Sequence, residues 1–370
     1  MKSPRVAIVA DWIIGGGAER VVEELHKLYP DAPIYASYCT DEWRKRLDNK
    51  VVTGYLQRWP FGTLRKFVGV LRIRWYRSLD LSAYDVVVSC TGNGEAKHIR
   101  TQGNTKHLCY CFTPTHYYWR HYQTYIQNPG LGPLNWLARL GLQLLVTPLR
   151  KKDYQAAQNP DKYIAISSHI QKDIQQYYNQ ASDIIAPPVN TDRFIAAGRS
   201  AQQRKGFVTM GRLATIKHTD VIVEACTKLN VPLRVIGRGP QLANLQKLAG
   251  PSVQFLTNVS DEQMPEQLAS AEAFLFASFE DFGIAPVEAM AAGTPLLAYK
   301  AGGALDYVTK ETGRFFTEQN AASLEQALKT FDASAYTARD IQKRAEVFSV
   351  QHFRDAIVSA VNELSQSTTE

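Results

Sequence analysis

The chain has 370 residues, 45% hydrophobic and 21% charged, with a formal net charge of +7. That is globular composition with apolar material for about two domains of ~150–200 residues, and it excludes a fibrous or wholly disordered chain. No apolar run approaches the ~18 residues of a membrane span, and the start MKSPRVAIVAD lacks a secretory h-region, so a cytoplasmic protein with reduced cysteines is expected.

The first half opens with an apolar run, Val6–Asp11, then the glycine loop IIGGGAE and an amphipathic stretch with Val21, Val22, Leu25 and Leu28 at helical spacing. Gly15-Gly16-Gly17 followed by a helix start suits close approach to a phosphate, though a turn with no ligand fits equally. It is neither G-x-G-x-x-G nor a P-loop. Further apolar runs, APIYAS, YDVVVS and KYIAIS, each end in small or polar residues. Strand, loop and helix alternate, which predicts an α/β chain with doubly wound parallel sheets.

Charge is uneven. Residues 1–190 carry 24 Lys+Arg against 15 Asp+Glu, a net +9, and residues 191–370 carry 18 against 20, a net −2. No acidic residue falls between Asp48 and Asp80 or between Glu95 and Asp153. The first gap holds RWPFGTLRKFVGVLRIRWYR, in which Arg58, Trp59, Arg65, Lys66, Arg72, Arg74 and Trp75 read as a membrane-surface element. The second holds NWLARLGLQLLVTPLRKK. Apolar bodies with cationic rims and Trp suit an interfacial helix on an anionic bilayer; a packed helix with a solvated basic face is the plainer reading. No nucleic-acid recognition motif is present, so no nucleic-acid partner is expected. Cys109 and Cys111 read as buried thiols.

The stretch Ala196–Lys205 is small, polar and basic, and reads as a linker. Beyond it, strands are expected at FVTMG, PLRVIG, VQFL, AFLFAS and PLLAY, with helices near Val221–Leu229, Gln241–Ala249, Glu262–Ala271 and Val287–Ala292. Ser260 and Gln263 fit a capping box. Val347–Leu364 reads as a terminal helix and Ser365–Glu370 as frayed.

Ligands of open parallel sheets bind at the carboxyl ends of strands. Arg212 closes the first strand of the second half and Lys217 follows; together they could clamp a diphosphate, or be two surface cations. Glu280 to Glu288 follows AFLFAS, with Pro286 suited to a first helical position. Glu280 then sits in a loop, Glu288 in a first helical turn, and free N–H groups near Gly283–Ala285 share their space. Two carboxylates with backbone donors suit a polyhydroxyl ligand. For Glu288 alone, helix-dipole complementarity is the other reading; for Glu280 it is a solvated loop carboxylate.

The Glu280-x7-Glu288 stretch resembles that of the family 4 retaining glycosyltransferases with the GT-B fold. GRLATIK, IGRGPQLANL, AISSHIQKDIQQYY…PPVNTDRF and GGALDYV resemble other family segments in the same order, over nearly the whole chain. The resemblance implies two Rossmann-like domains facing across a cleft: an acceptor-binding domain over 1–198, a nucleotide-sugar-binding domain over 199–345, and a helix over 346–370 returning to the first. It implies a nucleotide diphosphate sugar as donor, GDP-mannose first and a UDP-sugar second. Arg212 and Lys217 would bind the diphosphate, Glu288 the ribose and Glu280 the donor sugar, with the backbone of Phe282, Gly283 and Ile284 at its hydroxyls. Gly16 and Gly17 would approach the phosphates. Glu280, Arg212 and Lys217 are the expected catalytic groups.

No Asp-X-Asp is present, so neither metal nor other cofactor is expected. The expected acceptor is a lipid-linked saccharide at the inner face of the cytoplasmic membrane, in polysaccharide or glycolipid synthesis. The rival expectations are a non-catalytic sugar-nucleotide-binding subunit and an epimerase or hydrolase on the same fold. One departure stands out. Where many relatives read His-Thr-Pro, Phe112 precedes Thr113-Pro114, and His116 comes four residues later. Phe112 would suit a donor without a 6-hydroxyl or simply pack; alternatively His116 supplies the sugar contact. Asp306 stands where relatives often carry Glu.

Overall fold

The computed structural model describes residues 4–63, 68–127, 129, 132, 135–200 and 204–366. The chain forms two compact units, one of residues up to Pro187 with those from Arg354 onward, the other Pro188–Phe353.

Among the described residues the first unit holds a seven-stranded sheet in the order β3-β2-β1-β4-β5-β6-β7. Its strands are β1 (Val6–Ala10), β2 (Ile34–Ala36), β3 (Val51–Val52), β4 (Val86–Thr91), β5 (Lys106–Cys111), β6 (Lys162–Ala165) and β7 (Ser182–Ile184), all paired in parallel. β1 and β4 are wholly buried, as strands covered by helices on both faces must be. The strand order reverses between β1 and β4. All five cysteines are buried and unpaired, Cys90, Cys109 and Cys111 among them on β4 and β5.

Among its described residues the second unit holds a six-stranded parallel sheet, β10-β9-β8-β11-β12-β13. Its strands are β8 (Phe207–Met210), β9 (Leu233–Ile236), β10 (Val253–Leu256), β11 (Ala273–Phe276), β12 (Leu296–Tyr299) and β13 (Gly313–Phe316). Here the order reverses between β8 and β11. Leu275, Leu297 and Val235 from the strands and Ile222, Leu245 and Leu324 from the helices share one core. Ser260 and Gln263 make the expected reciprocal capping pair, at 3.2 and 3.4 Å.

The segment read as a linker begins inside a helix, Asp192–Ser200, whose Phe194 is fully buried. The terminal helix Val350–Gln366 is bonded to the first unit through Arg354 to Glu24, at 2.9 Å, and Glu363 to Lys162, at 3.0 Å. Ser365 and Gln366, expected to fray, complete that helix, and residues 367–370 lie outside the described ones.

The basic stretch 58–77 is corrected by its helix, Gly69–Arg77. Arg72, Trp75 and Tyr76, at i, i+3 and i+4, form the inward face. Trp75 packs in the core with Leu56 and Leu81, and Arg72 is buried against Glu95 at 2.6 Å with its guanidinium over the Trp12 ring. Neither is available to a surface. Arg58, Trp59 and Arg74 are exposed. Arg65 and Lys66 lie outside the described residues.

Candidate functional site

In the second unit the predicted residues gather at the carboxyl ends of β8 and β11, where the strand order reverses. β8 ends in Gly211-Arg212-Leu213, and a single turn of 3-10 helix, Thr215–Lys217, follows. This loop packs backbone to backbone on the one leaving β9: the N–H of Leu213 donates to the carbonyl of Arg238 at 2.9 Å, and Gly211 N–H to that of Ile236 at 3.0 Å. A side chain at Gly237 or Gly239 would strike the Gly211 and Leu213 carbonyls, which is why this approach requires glycine. Arg212 is left exposed, with no side-chain partner among the described residues.

Lys217 is held twice. Its carbonyl accepts a bond from the Ser278 hydroxyl at 2.8 Å, and its ammonium meets the Glu280 carboxylate at 2.6 Å. Both partners of the ion pair are about a quarter exposed, at 28% and 26% of their side-chain surface, so the pair remains open to a ligand. Glu280 is fixed in turn by the Gly302-Gly303 loop, whose Gly303 N–H donates to the Glu280 carbonyl at 2.8 Å.

The next helix runs Ile284–Ala291 from Gly283, which has φ 94° and provides no side-chain cap. Its first N–H groups are therefore unclaimed by a cap, as an anion or hydroxyl ligand needs. Pro286 sits at the third helical position rather than the first; the N–H it lacks is still one of the first-turn groups that have no partner within the helix. Glu288 is buried in the following turn. The Phe282 side chain faces inward among Tyr307 and Phe348, at ring separations of 5.9 and 5.7 Å, so what this segment offers a ligand is backbone. Tyr307 is fully buried, its hydroxyl has no hydrogen-bond partner among the described residues, and burial, with the nearby Glu280 carboxylate, pushes its pKa well up.

In the first unit the residues predicted to meet a ligand lie beyond the ends of β1 and β5. Gly16 and Gly17 are exposed at the uncapped start of helix Gly17–Leu28. Glu19 holds their loop by accepting from the N–H groups of Ile14 and Gly15, both at 3.0 Å, so one carboxylate already sits beside this helix start. Phe112 and His116 both touch the turn after β4. Phe112 is half-buried, its ring edge-on to Tyr110 at 5.4 Å. His116 Nδ1 lies 3.3 Å from the Gly92 carbonyl and Nε2 3.1 Å from the Tyr125 hydroxyl. Both ring nitrogens are thus engaged, and burial holds the imidazole below its ordinary pKa.

Several groups escaped the sequence reading. Asp11, buried just after β1, accepts from the N–H groups of Gly92, Asn93 and Ala96 at 2.8, 2.7 and 2.6 Å and so shapes the β4 turn. Lys97 and Asp153 form a fully buried ion pair at 2.6 Å, and Asp153 also accepts from Thr115 at 2.7 Å and Trp119 at 2.8 Å. Burial works against the Asp153 charge, but Lys97 and the donated hydrogen bonds hold its pKa low. Glu95, beside Arg72, is pushed up to about 7 by burial and by Asp11. An acidic residue ending an apolar strand was the only signal for Asp11; Lys97 and Asp153, far apart in sequence, offered none. Among the described residues no group of three or more His, Cys, Asp or Glu is placed to hold a metal ion.

Residues 15–193 match the family model described as Glycosyltransferase Family 4, and residues 190–347 that described as Glycosyl transferases group 1. The chain is 26% identical over 208 residues to the GDP-mannose-dependent alpha-(1-6)-phosphatidylinositol dimannoside mannosyltransferase of Mycobacterium tuberculosis, covering 51% of this chain and 54% of that one. It is 32% identical over 213 residues to a D-inositol 3-phosphate glycosyltransferase of Streptomyces avermitilis, covering 48% and 46%. The chain thus spans about half the length of the curated relatives it matches. Among solved structures, Anabaena HepE in complex with UDP superposes with a TM-score of 0.67 at 18% identity, covering 97% of this chain and 100% of that one. The sucrose-phosphate synthase of Thermosynechococcus elongatus does so with 0.67 at 16%, covering 98% and 99%. At such identities the likeness establishes the two-domain GT-B fold alone.

Proposed function

The chain belongs to the family 4 glycosyltransferases, and on that premise we propose that it moves a sugar, with retention, from a nucleotide diphosphate donor to a lipid-linked saccharide. The observation that carries this is the Lys217–Glu280 pair beside an exposed Arg212 and an uncapped helix start, all at the switch point of the second sheet. The donor C1–O bond breaks, positive charge builds on the sugar carbon and negative charge on the departing diphosphate. Arg212, Lys217 and the helix N–H groups stabilise that leaving group. A diphosphate oxygen takes the acceptor hydroxyl's proton as the acceptor oxygen bonds to C1 on the face that the leaving group quits. Glu280 aligns Lys217 and faces the sugar, and Glu288 holds the ribose. No protein nucleophile and no metal is required.

GDP-mannose is the first choice of donor, supported by the relatives named for it, and a UDP-sugar the second, supported by the structural neighbour solved with UDP. The joint presence of Arg212, Lys217, Glu280 and Glu288 favours an enzyme over a non-catalytic binding subunit. We place the protein peripherally on the inner membrane face. Incubating each donor with and without a lipid-linked saccharide, and reading the product's anomeric configuration by NMR, tests the reading. Acceptor-dependent release of nucleotide with retention supports it; donor consumption without acceptor would assign an epimerase or hydrolase.

A further inference from the structure

The helix Asn135–Ala156 divides into an anchored half and an uncovered half. Its C-terminal half is tied down. Val146, Asp153 and Ala156 are buried, and Asp153 is locked to Lys97 and Thr115 at the ends of β4 and β5. Arg150 donates to the Tyr118 carbonyl at 2.7 Å and stacks on Trp119 and Tyr122. The N-terminal half does the opposite. Trp136 is 65% exposed, Leu137 51%, Leu140 47%, Leu144 70% and Leu145 55%. Leu137, Leu140 and Leu144, at i, i+3 and i+7, form one stripe pointing away from the fold. Isolated exposed leucines are ordinary; five large apolar side chains within ten residues of one helix are not.

We infer that this face docks the first unit on an anionic lipid surface. Charge selects the occupant. No acidic residue occurs between Glu95 and Asp153, and Lys151 and Lys152 are exposed at the end of the stripe with no side-chain partner among the described residues. A second copy of the chain would bring the same cations against these, whereas an anionic bilayer complements them and takes up the leucines. The stripe is too short to span. Residues 136–145 rise about 14 Å, against a hydrocarbon core of ~30 Å, and no helix among the described residues is long and apolar enough to cross a membrane. A helix lying in the interface, with Trp136 at one end and lysines at the other, satisfies both facts. The anchored half bonds to loops leaving β4 and β5, where Phe112 and His116 lie, so docking would bring a membrane-borne acceptor to that edge of the sheet. In that respect the inference rests on the lipid-linked acceptor proposed above.

Co-sedimentation of the full chain with vesicles tests it, comparing phosphatidylcholine alone with equal parts phosphatidylcholine and phosphatidylglycerol. The wild type is expected to bind the mixed vesicles and to lose binding as salt rises. Leu140→Asp/Leu144→Asp, on exposed positions, should weaken binding at least about tenfold with an unchanged melting temperature. Lys151→Gln/Lys152→Gln should weaken it and flatten the salt dependence. No wild-type binding to mixed vesicles, or undiminished binding by the aspartate variant, overturns the inference. So does a wild-type dimer that the aspartate variant dissolves, which would assign the face to a second copy. Stabilisation by GDP or UDP is measured on the same proteins. Failed docking with nucleotide binding intact sinks this inference alone; docking without nucleotide binding sinks the transferase reading alone.

Discussion

Lys217 and Arg212 are unlike cations in one place. Lys217 is oriented in advance by Glu280 and by the Ser278 hydroxyl on its carbonyl, while Arg212 is exposed with no side-chain partner among the described residues. Arg212→Ala should therefore weaken donor binding and chemistry together. Lys217→Ala should fall mainly on kcat, by about 10²–10³, the usual cost of one oriented donor to a developing anion. Glu280→Gln should leave nucleotide affinity nearly intact and lower kcat, since the lysine loses its aligning charge but stays in place through Ser278. Steady-state kinetics on the three variants separates these outcomes. These residues were legible in the sequence because polar groups directly after apolar strands point to a sheet's carboxyl edge. Arg72 was misread because a cation in a basic stretch looks like a rim residue. Only the inward phase of its helix, shared with Trp75 and Tyr76, reveals that it is buried.

At the scale of elements, β8, β9, β11 and β12 were legible because buried parallel strands are near-continuous apolar runs. β5 was not. Its KHLCYC reads as polar alternating with thiols, yet His107, Cys109 and Cys111 are all buried in mid-sheet. The helix Asn135–Ala156 was read for its amphipathic character, but nothing in the sequence divides its anchored half from its uncovered one. That division comes from Asp153, whose partner Lys97 lies on another element. Asp153→Asn should leave a buried ammonium uncompensated and cost about 3–5 kcal/mol, read as a lower denaturant midpoint. Replacing Lys97 by Met and Asp153 by Leu together should recover much of that loss.

For the whole molecule, two parallel sheets with matching switch points give two units, each with its own core, and the last helix is bonded to the first unit through Arg354 and Lys162. The first unit also carries a pH dependence. Glu95 has its pKa raised from 4.5 to about 7, chiefly by burial. Between those values the unfolded chain has lost a proton that the folded one keeps, so this group's contribution to stability falls as pH rises from about 5 to 7. Melting curves across that range should show a decline for the wild type and a flatter profile for Glu95→Gln.

Thermal denaturation of wild type and Arg212→Ala with GDP, UDP, ADP and their sugar conjugates reports on a nucleotide diphosphate site in the second unit. A ligand at 100 times its Kd stabilises by about 2.7 kcal/mol. With such a site, one nucleotide family, guanine first, should raise the wild-type melting temperature and leave Arg212→Ala nearly unmoved. Equal shifts in both proteins, or no shift with any nucleotide, would contradict such a site.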